Sequence, residues 1–516
     1  MEEKPLLRHP ISRRGALAAG IGAAVGAVSL GPSTPAVATP RPTDDGDLIA
    51  LTHVTVIDAT GAPPRPDMTV LVRGGRIATL GRSSEVPVPV GTRTVDLAGK
   101  FVIPGLCDMH VHSLFPEGIL PQLYIATGVT TVREMMGLPW VHQWRDQIET
   151  GDLIGPRWVI GSHILDGKPS IWSGNDAGLY EEIISARQAH NAVRQAKLDG
   201  ADFIKIYSRL NRQSLHAIAN EARRERIPFA GHMPDIVPII EAARAGQRSF
   251  EHLFPALLGA SGSEAEVRRM LAAITLAGDG NGHRDWFQGI HAAEWLAANT
   301  YNPRRAADVY AQLKREQVAV TPTMIMHRTT DLPDDIVPDH ERLKYLPPGT
   351  LETWKLQLES TFVNGRTPQK SAQYRVLFQH RLRVLNEMHR AGVQILVGTD
   401  ASGAPFGYPG FAVHDELALL VSAGFTPMEA LQAATREPAR YLGLQHSLGT
   451  VRQGHLADLV ILDANPLHDI RNTQRIHALM LRGRFVSSTE RQRMLADIEA
   501  VARTTSTMSA TTGCCG

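Results

Sequence analysis

Cysteine is nearly absent from this chain: three in 516 residues, with Cys514 and Cys515 adjacent in a Ser/Thr/Gly-rich tail. That number and spacing exclude a disulfide framework and a spaced cysteine zinc motif. An excess of one charge is missing too. Lys and Arg number 53 against 52 Asp and Glu, a net charge of +1. No overall field therefore draws the chain to nucleic acid or to an anionic membrane, and a small molecule is the expected partner. No G-x-S-x-G stretch occurs, which removes the strained turn that presents a serine nucleophile in hydrolases of that type. The apolar run at residues 15–30 is short and rich in Gly and Ala, too weakly hydrophobic for a spanning helix, so a stable membrane anchor is not expected. Its Gly20, Gly22 and Gly26 miss the dinucleotide-binding spacing, and no strand precedes them.

What is present begins with an address. Ser12-Arg13-Arg14 precedes the apolar run, and Pro35-Ala36-Val37-Ala38 supplies small residues where a signal peptidase cuts. This reads as a twin-arginine signal handled by the twin-arginine export machinery, with the mature chain starting near Thr39 in the periplasm or outside the cell. The rest, 43% hydrophobic and 20% charged, is long enough for one large domain plus an accessory one. A homo-oligomer is admitted, not required, by these features.

Short strands are expected at 49–57, 69–72, 76–80 and 94–97, and strand-like sequence returns at 456–463 and 478–484. Two β segments at opposite ends of the chain imply one small composite β-sandwich. Between them stand eight strand candidates, at 101–103, 129–134, 158–164, 203–207, 228–232, 249–252, 318–326 and 393–399, with helical sequence at 182–198, 213–224 and 236–245. Thr426-Pro427-Met428-Glu429 is a capping box opening a further helix to about Leu442. Eight strand–helix units predict an α/β fold, a (β/α)₈ TIM barrel. The expected division is 1–38 signal peptide, 47–100 first half of the β domain, 101–445 barrel, 446–488 second half, and 489–516 a C-terminal helix with a flexible tail. Insertions at 255–308 and 327–370 are longer than barrel connections need, and they follow strands six and seven, where loops overhang the active face.

Chemistry enters with Asp108-Met109-His110-Val111-His112. In an extended strand residues two apart face one side, so His110 and His112 can present both imidazoles to one ion, the alternative being two surface histidines in a loop. Lys205 lies inside the apolar run Phe203-Ile204-Lys205-Ile206-Tyr207, where a free ammonium is costly to bury. His232, His252 and Asp400 each end a strand candidate. Six such residues at the C-terminal ends of strands one, four, five, six and eight converge where barrels place their active sites.

From about Leu48 to Arg484 the chain resembles the amidohydrolase superfamily, in its binuclear imidazolonepropionase-like and prolidase-like branch. The resemblance rests on Pro104-Gly105-Leu106 leading into His110 and His112, on Gly128-Val129-Thr130-Thr131-Val132-Arg133, on Lys205 in its strand, and on Gly231-His232 and Glu251-His252-Leu253. Gly398-Thr399-Asp400 and Gly454-His455-Leu456-Ala457-Asp458-Leu459 complete it. It implies a metal-dependent hydrolase that cleaves an amide or related C–N bond, peptide-like or cyclic. It also implies two divalent metal ions, zinc by the donor set. His110, His112 and Asp400 would hold one and His232 and His252 the other, bridged by Lys205 after CO₂ converts it to a carbamate. Asp400 would serve as general base.

Tyr207 shares the face of Lys205 and is a candidate oxyanion donor; His414 and His163 are candidates for substrate contact or support of the site. One departure is visible. Dipeptidase members carry Gly-Gly-His-Gly-Asp after strand three, whereas this chain has Trp172-Ser173-Gly174-Asn175-Asp176-Ala177-Gly178, without the histidine. A lactonase or phosphotriesterase on the same metals is the alternative, and a non-catalytic metal-binding protein a remote one. For the leader, replacing both Arg13 and Arg14 with Lys is expected to leave the protein in the cytoplasm; cell fractionation showing unchanged export would refute the twin-arginine reading.

Overall fold

The computed structural model describes residues 48–173, 178–278 and 280–505. The leader with its cleavage site and the tail with Cys514 and Cys515 lie outside the described residues. No described helix is long and apolar enough to cross a membrane.

Strands from both ends of the chain share one mixed sheet. Its order runs Arg484–Val486, Ile476–Leu481, Leu459–Leu462, Phe101–Pro104, Ile49–Val56, Arg65–Arg73, Arg76–Arg82, with Arg93–Asp96 also paired to Ile49–Val56. Alternating apolar residues give this sheet a core of its own, including Leu51, Val54, Val70, Ile77, Val102, Leu459, Ile461 and Met480. One expectation is corrected here. Residues 101–103 belong to this sheet, paired antiparallel with Leu459–Leu462, and are not the first parallel strand. The chain changes sheets at Gly105, where a Cβ would fall 2.1 Å from Thr130 Oγ1. Only a residue without a side chain passes there.

The chain is α/β, and its parallel strands are β1 Leu106–Val111, β2 Val129–Glu134, β3 Arg157–Ile160, β4 Ile204–Ile206, β5 Phe229–Gly231, β6 Gln247–Glu251, β7 Ala319–Thr321 and β8 Gln394–Ile395. β1 to β3 form one sheet and β4 to β8 another, the latter extended beyond β4 by Ile164–Asp166 and Tyr180–Glu182. Isolated parallel bridges join Gly161 to Phe203 and Val111 to Ala401. Beside the second, Met109 N donates to Val397 O at 2.8 Å and Asp400 N to His110 O at 2.8 Å. Nearly every residue of these strands is buried, as parallel strands covered on both faces require.

Four further expectations are adjusted. The stretch 158–164 is two pieces, because β3 ends at Ile160 and a new strand starts at Ile164. The stretch 318–326 is a strand only over Ala319–Thr321. Thr323 takes φ +46°, and helix α2 (Met324–Asp331) begins at once, its first N–H groups donating to Glu416 Oε1 and Oε2 at 2.9 and 2.8 Å. The helix expected from 182 starts at Ala186, where Ser185 caps it, and Tyr180–Glu182 is strand. The Thr426–Glu429 capping box is present, but its helix stops at Ala433 and a second runs Arg436–Tyr441.

Both insertions are helical. The first contributes Phe254–Gly259, Glu264–Ala272 and helix α1 (Gly282–Asn299). The second contains α2 and Thr350–Gln357 and leads into helix α3 (Pro368–Arg390). Arg381 of α3 is 1% exposed. It donates to Glu294 of α1 at 2.6 Å and to Asp331 of α2 at 2.8 Å, so one buried guanidinium ties three helices.

Tight contact between β7, β8 and β1 gives a test. A Cβ on Gly398 would lie 2.3 Å from Thr321 Cγ2 and 2.9 Å from His110 N. Gly398→Ala is expected to destabilise the protein by about 1–3 kcal/mol. An unchanged thermal midpoint would show that the strands yield freely there.

Candidate active site

His110 and His112 leave the end of β1 with ring centroids 5.3 Å apart. Asp400, just past β8, receives both: its Oδ1 lies 3.2 Å from His110 Nε2 and 3.0 Å from His112 Nε2. His232 follows β5 and His252 follows β6, their Nε2 atoms 3.0 Å apart. The His252 ring is 5.0 Å from that of His110. One ligand atom each from His110, His252 and Asp400 falls within 4.8 Å of the others. Lys205, in the middle of β4 and 1% exposed, lines the same cavity. His252 and Asp400 hold φ of +63° and +61°, left-handed backbone that persists only where its surroundings over-determine it.

Three imidazoles are oriented from behind. His110 Nδ1 meets Glu251 Oε2 at 2.9 Å, His232 Nδ1 meets Ser208 Oγ at 2.8 Å, and His252 Nδ1 meets Thr323 Oγ1 at 2.6 Å. With Nδ1–H donating outward, His232 and His252 can each turn an Nε2 lone pair to the centre, while His110 Nε2 faces Asp400 Oδ1 at 3.2 Å. Glu251 is itself gripped by Arg133 at 2.8 Å. Burial disfavours its carboxylate, but the adjacent guanidinium and His110 hold it well below the usual range.

Burial also sets the charge of the centre. It pushes His112 down to about 4, His252 to about 3 and His232 well below the ordinary imidazole range. Burial works against ionised Asp400 as well, yet His110 and His112 keep it far below a normal carboxyl. The result is an anionic oxygen beside the neutral imidazoles of His112, His232 and His252. His232 Nε2 and His252 Nε2 lie 3.0 Å apart; with both Nδ1 atoms protonated, their lone pairs would face each other and favour a cation between or beside them. The donor set therefore fits divalent metal ions of the borderline kind that take nitrogen and oxygen together.

Apolar walls rise around these residues: Trp172, Tyr207, Phe254, Phe287 and Met326. Tyr207 stacks on His232 at 3.8 Å, and its hydroxyl lies 3.3 Å from His283 Nε2. Another cavity, of about 460 Å³, opens beside Arg248 and Gln394 at the starts of β6 and β8. It gathers no set of ligating side chains, and strand starts are the stabilising end of such sheets.

The structure brings His110, His112, Lys205, Tyr207, His232, His252 and Asp400 together. Two other candidates lie apart. His414, on helix α4 (Ala412–Ser422), spends Nδ1 on Thr473 Oγ1 at 2.9 Å and Nε2 on Thr127 O at 3.0 Å; it is a buried tie between segments. His163 sits half-buried between β3 and the Ile164 strand and does not line the cavity. Sequence reasoning missed Ser208, Thr323, Arg133 and Glu251 as supports, and His283 altogether. His283, Trp286 and Phe287 stand at i, i+3, i+4 in α1, a spacing that signals one helix face.

The family model for the amidohydrolase family matches residues 101–486, and the chain belongs to that family of hydrolases. Ochratoxinase of Aspergillus niger is 34% identical over 117 residues, which span 22% of this chain and 23% of that one. Imidazolonepropionase of Symbiobacterium thermophilum is 24% identical over 446 residues, covering 82% of this chain and 92% of its own. Among solved structures, a bottromycin amidohydrolase aligns with a TM-score of 0.67 at 22% identity, over 89% of this chain and 91% of that chain. That likeness shows a shared α/β architecture of the TIM-barrel kind.

Ser208→Ala and Thr323→Val are each expected to weaken retention of a divalent ion by roughly 10–100-fold, because they free the outer nitrogen of a ligand imidazole. His414→Asn is expected to leave retention unchanged and lower stability instead. Competition against a chelator reads both, and equal retention in all three variants would refute the assignment.

Proposed function

We propose that this protein hydrolyses an amide or related C–N bond of a small molecule at a centre for two divalent ions, with zinc as the native metal. One observation carries the reading: four imidazoles and an ionised aspartate converge at the C-terminal ends of parallel strands, beneath an apolar-walled cleft. His110, His112 and Asp400 would hold one ion, His232 and His252 the other, with Lys205 between. As a neutral amine, Lys205 adds CO₂ at Nζ, forming an N–C bond and releasing a proton. The product is an anion suited to cations where a buried ammonium is not. When bound, the ions supply Lewis acidity toward the scissile carbonyl and toward water.

The chain's own groups then do the rest. Asp400, ionised because two imidazoles flank it, takes a proton at Oδ from the attacking water and delivers it to the leaving nitrogen as the C–N bond breaks. Tyr207 stands over His232, placed to donate its hydroxyl proton to the oxygen that gains charge. Aromatic walls exclude water from the reacting atoms. We further propose that β1 to β8 close into a (β/α)₈ barrel, supported by the Gly161–Phe203 and Val111–Ala401 bridges. The two-ended sheet supports a composite β domain beside it. The Arg13-Arg14 leader supports export through the twin-arginine pathway.

Asp400→Asn is expected to keep metal while activity falls roughly 10²–10⁴-fold, as for loss of a positioned acid or base. His232→Ala and Lys205→Ala are expected to lose metal and activity together. A panel of N-acyl amino acids, dipeptides, cyclic amides and lactones, read with elemental analysis, tests this. Near-normal turnover by Asp400→Asn would remove Asp400 as the base, and full metal occupancy in Lys205→Ala would remove the bridge.

A further inference from the structure

Helix α1 comes from an insertion, yet one of its faces is turned to the catalytic cleft. Phe287 lines the cavity. Trp286 donates to Asp235 Oδ2 at 3.0 Å and lies 6.2 Å from the His232 ring. One turn earlier, His283 is 5% exposed, packs edge-on against Trp172 at 4.7 Å, and places Nε2 3.3 Å from the Tyr207 hydroxyl. The start of the helix is held closely. Asn281 caps it by accepting from Arg284 N at 2.9 Å, and a Cβ on Gly282 would fall 2.4 Å from Ile171 O. Backbone therefore rests on backbone beside the Trp172 loop, and the imidazole cannot drift far from Tyr207.

We propose that His283 is a positioning residue that donates from Nε2–H to the Tyr207 oxygen and so turns the phenolic proton toward the substrate's carbonyl oxygen. The proposal rests on the hydrolase reading above and adds a group to it from outside the parallel strands. A neutral ring is required, and burial pushes His283 down to about 3. Donation into the phenol oxygen fixes which way its own O–H points. It also strengthens that O–H as a donor, since hydrogen bonds in series polarise one another in a low-dielectric site. The opposite direction, Tyr207 donating to His283, would spend the proton on the protein. The first insertion thereby becomes part of the reaction site, and substrates are selected by whether their carbonyl oxygen reaches Tyr207 beneath α1.

The test is a double-substitution cycle on the full-length zinc-loaded enzyme, with N-acetyl-L-phenylalanine as probe. His283→Phe keeps the aromatic packing against Trp172 and removes the donor; His283→Gln keeps an N–H. We expect Tyr207→Phe and His283→Phe each to lower kcat roughly 10–100-fold with little change in KM. The double variant should be no worse than either single one, His283→Gln should recover most of the loss, and metal content should be unchanged throughout. Independent, multiplying losses would overturn the proposal, as would full activity in His283→Phe. A second readout does not depend on turnover. In protein labelled with ¹³C at tyrosine Cζ, the Tyr207 signal, assigned by its absence in Tyr207→Phe, should shift in His283→Phe and return in His283→Gln. An unmoved signal would overturn the proposal even if the probe is not hydrolysed, whereas a shifted signal without hydrolysis counts against the substrate class alone.

Discussion

A buried ion pair organises this molecule. Arg133 of β2 and Glu251 of β6 meet at 2.8 Å with almost no solvent contact. The guanidinium also donates to Met109 O on β1 at 2.6 Å and to Ser249 Oγ at 2.8 Å. The carboxylate in turn receives His110 at 2.9 Å. Strands from distant parts of the sequence are thereby pinned to one another at the depth where the candidate ligand residues emerge. Neither charge survives in such a place without the other. The positions of His110 and His252, which neighbours Glu251 in sequence, are consequences of satisfying that pair.

A second buried cation does for the roof what Arg133 does for the floor. Arg381 joins Glu294 and Asp331, and Phe287 of α1 meets Phe362 of the second insertion at 4.7 Å. The two insertions therefore act on the cleft together. Thr323 connects roof and floor, since it takes His252 Nδ1 at 2.6 Å and precedes α2, whose N-terminus Glu416 accepts. Burial pushes Glu416 up to about 8, a cost tolerated because its oxygens satisfy helix N–H groups that have no partner within the helix.

Much of this was legible in residue order. β2 lies at Val129–Glu134 as read from the apolar run, and the ligand-type residues read from strand ends lie within one cavity. Period-two alternation and a polar residue at a strand's end are local signals, which explains that success. The misreadings involve partners far away in sequence. Residues 101–103 look like any apolar strand, and only the arrival of Leu459–Leu462 assigns them to the mixed sheet. His414 looks like a site histidine until Thr127 and Thr473 are seen to take both its nitrogens. His283 stands far along the chain from Tyr207, and only the folding back of α1 joins them. Supports such as Ser208 and Thr323 carry no pattern because a hydroxyl orients a histidine wherever the backbone delivers it.

The two-ended sheet sets a timetable for synthesis. Phe101–Pro104 leaves the ribosome early, but the strand that covers its edge, Leu459–Leu462, is made last but two among the sheet's members. At about 5–20 residues per second, that edge stands open for on the order of 20–70 s while the whole parallel-stranded region is translated. During that interval a row of unpaired backbone groups is available to any passing strand. The nascent chain must therefore be shielded until its last strands arrive, and a truncation before Leu459 would leave the edge bare for good, turning a folding intermediate into a permanent template for aggregation.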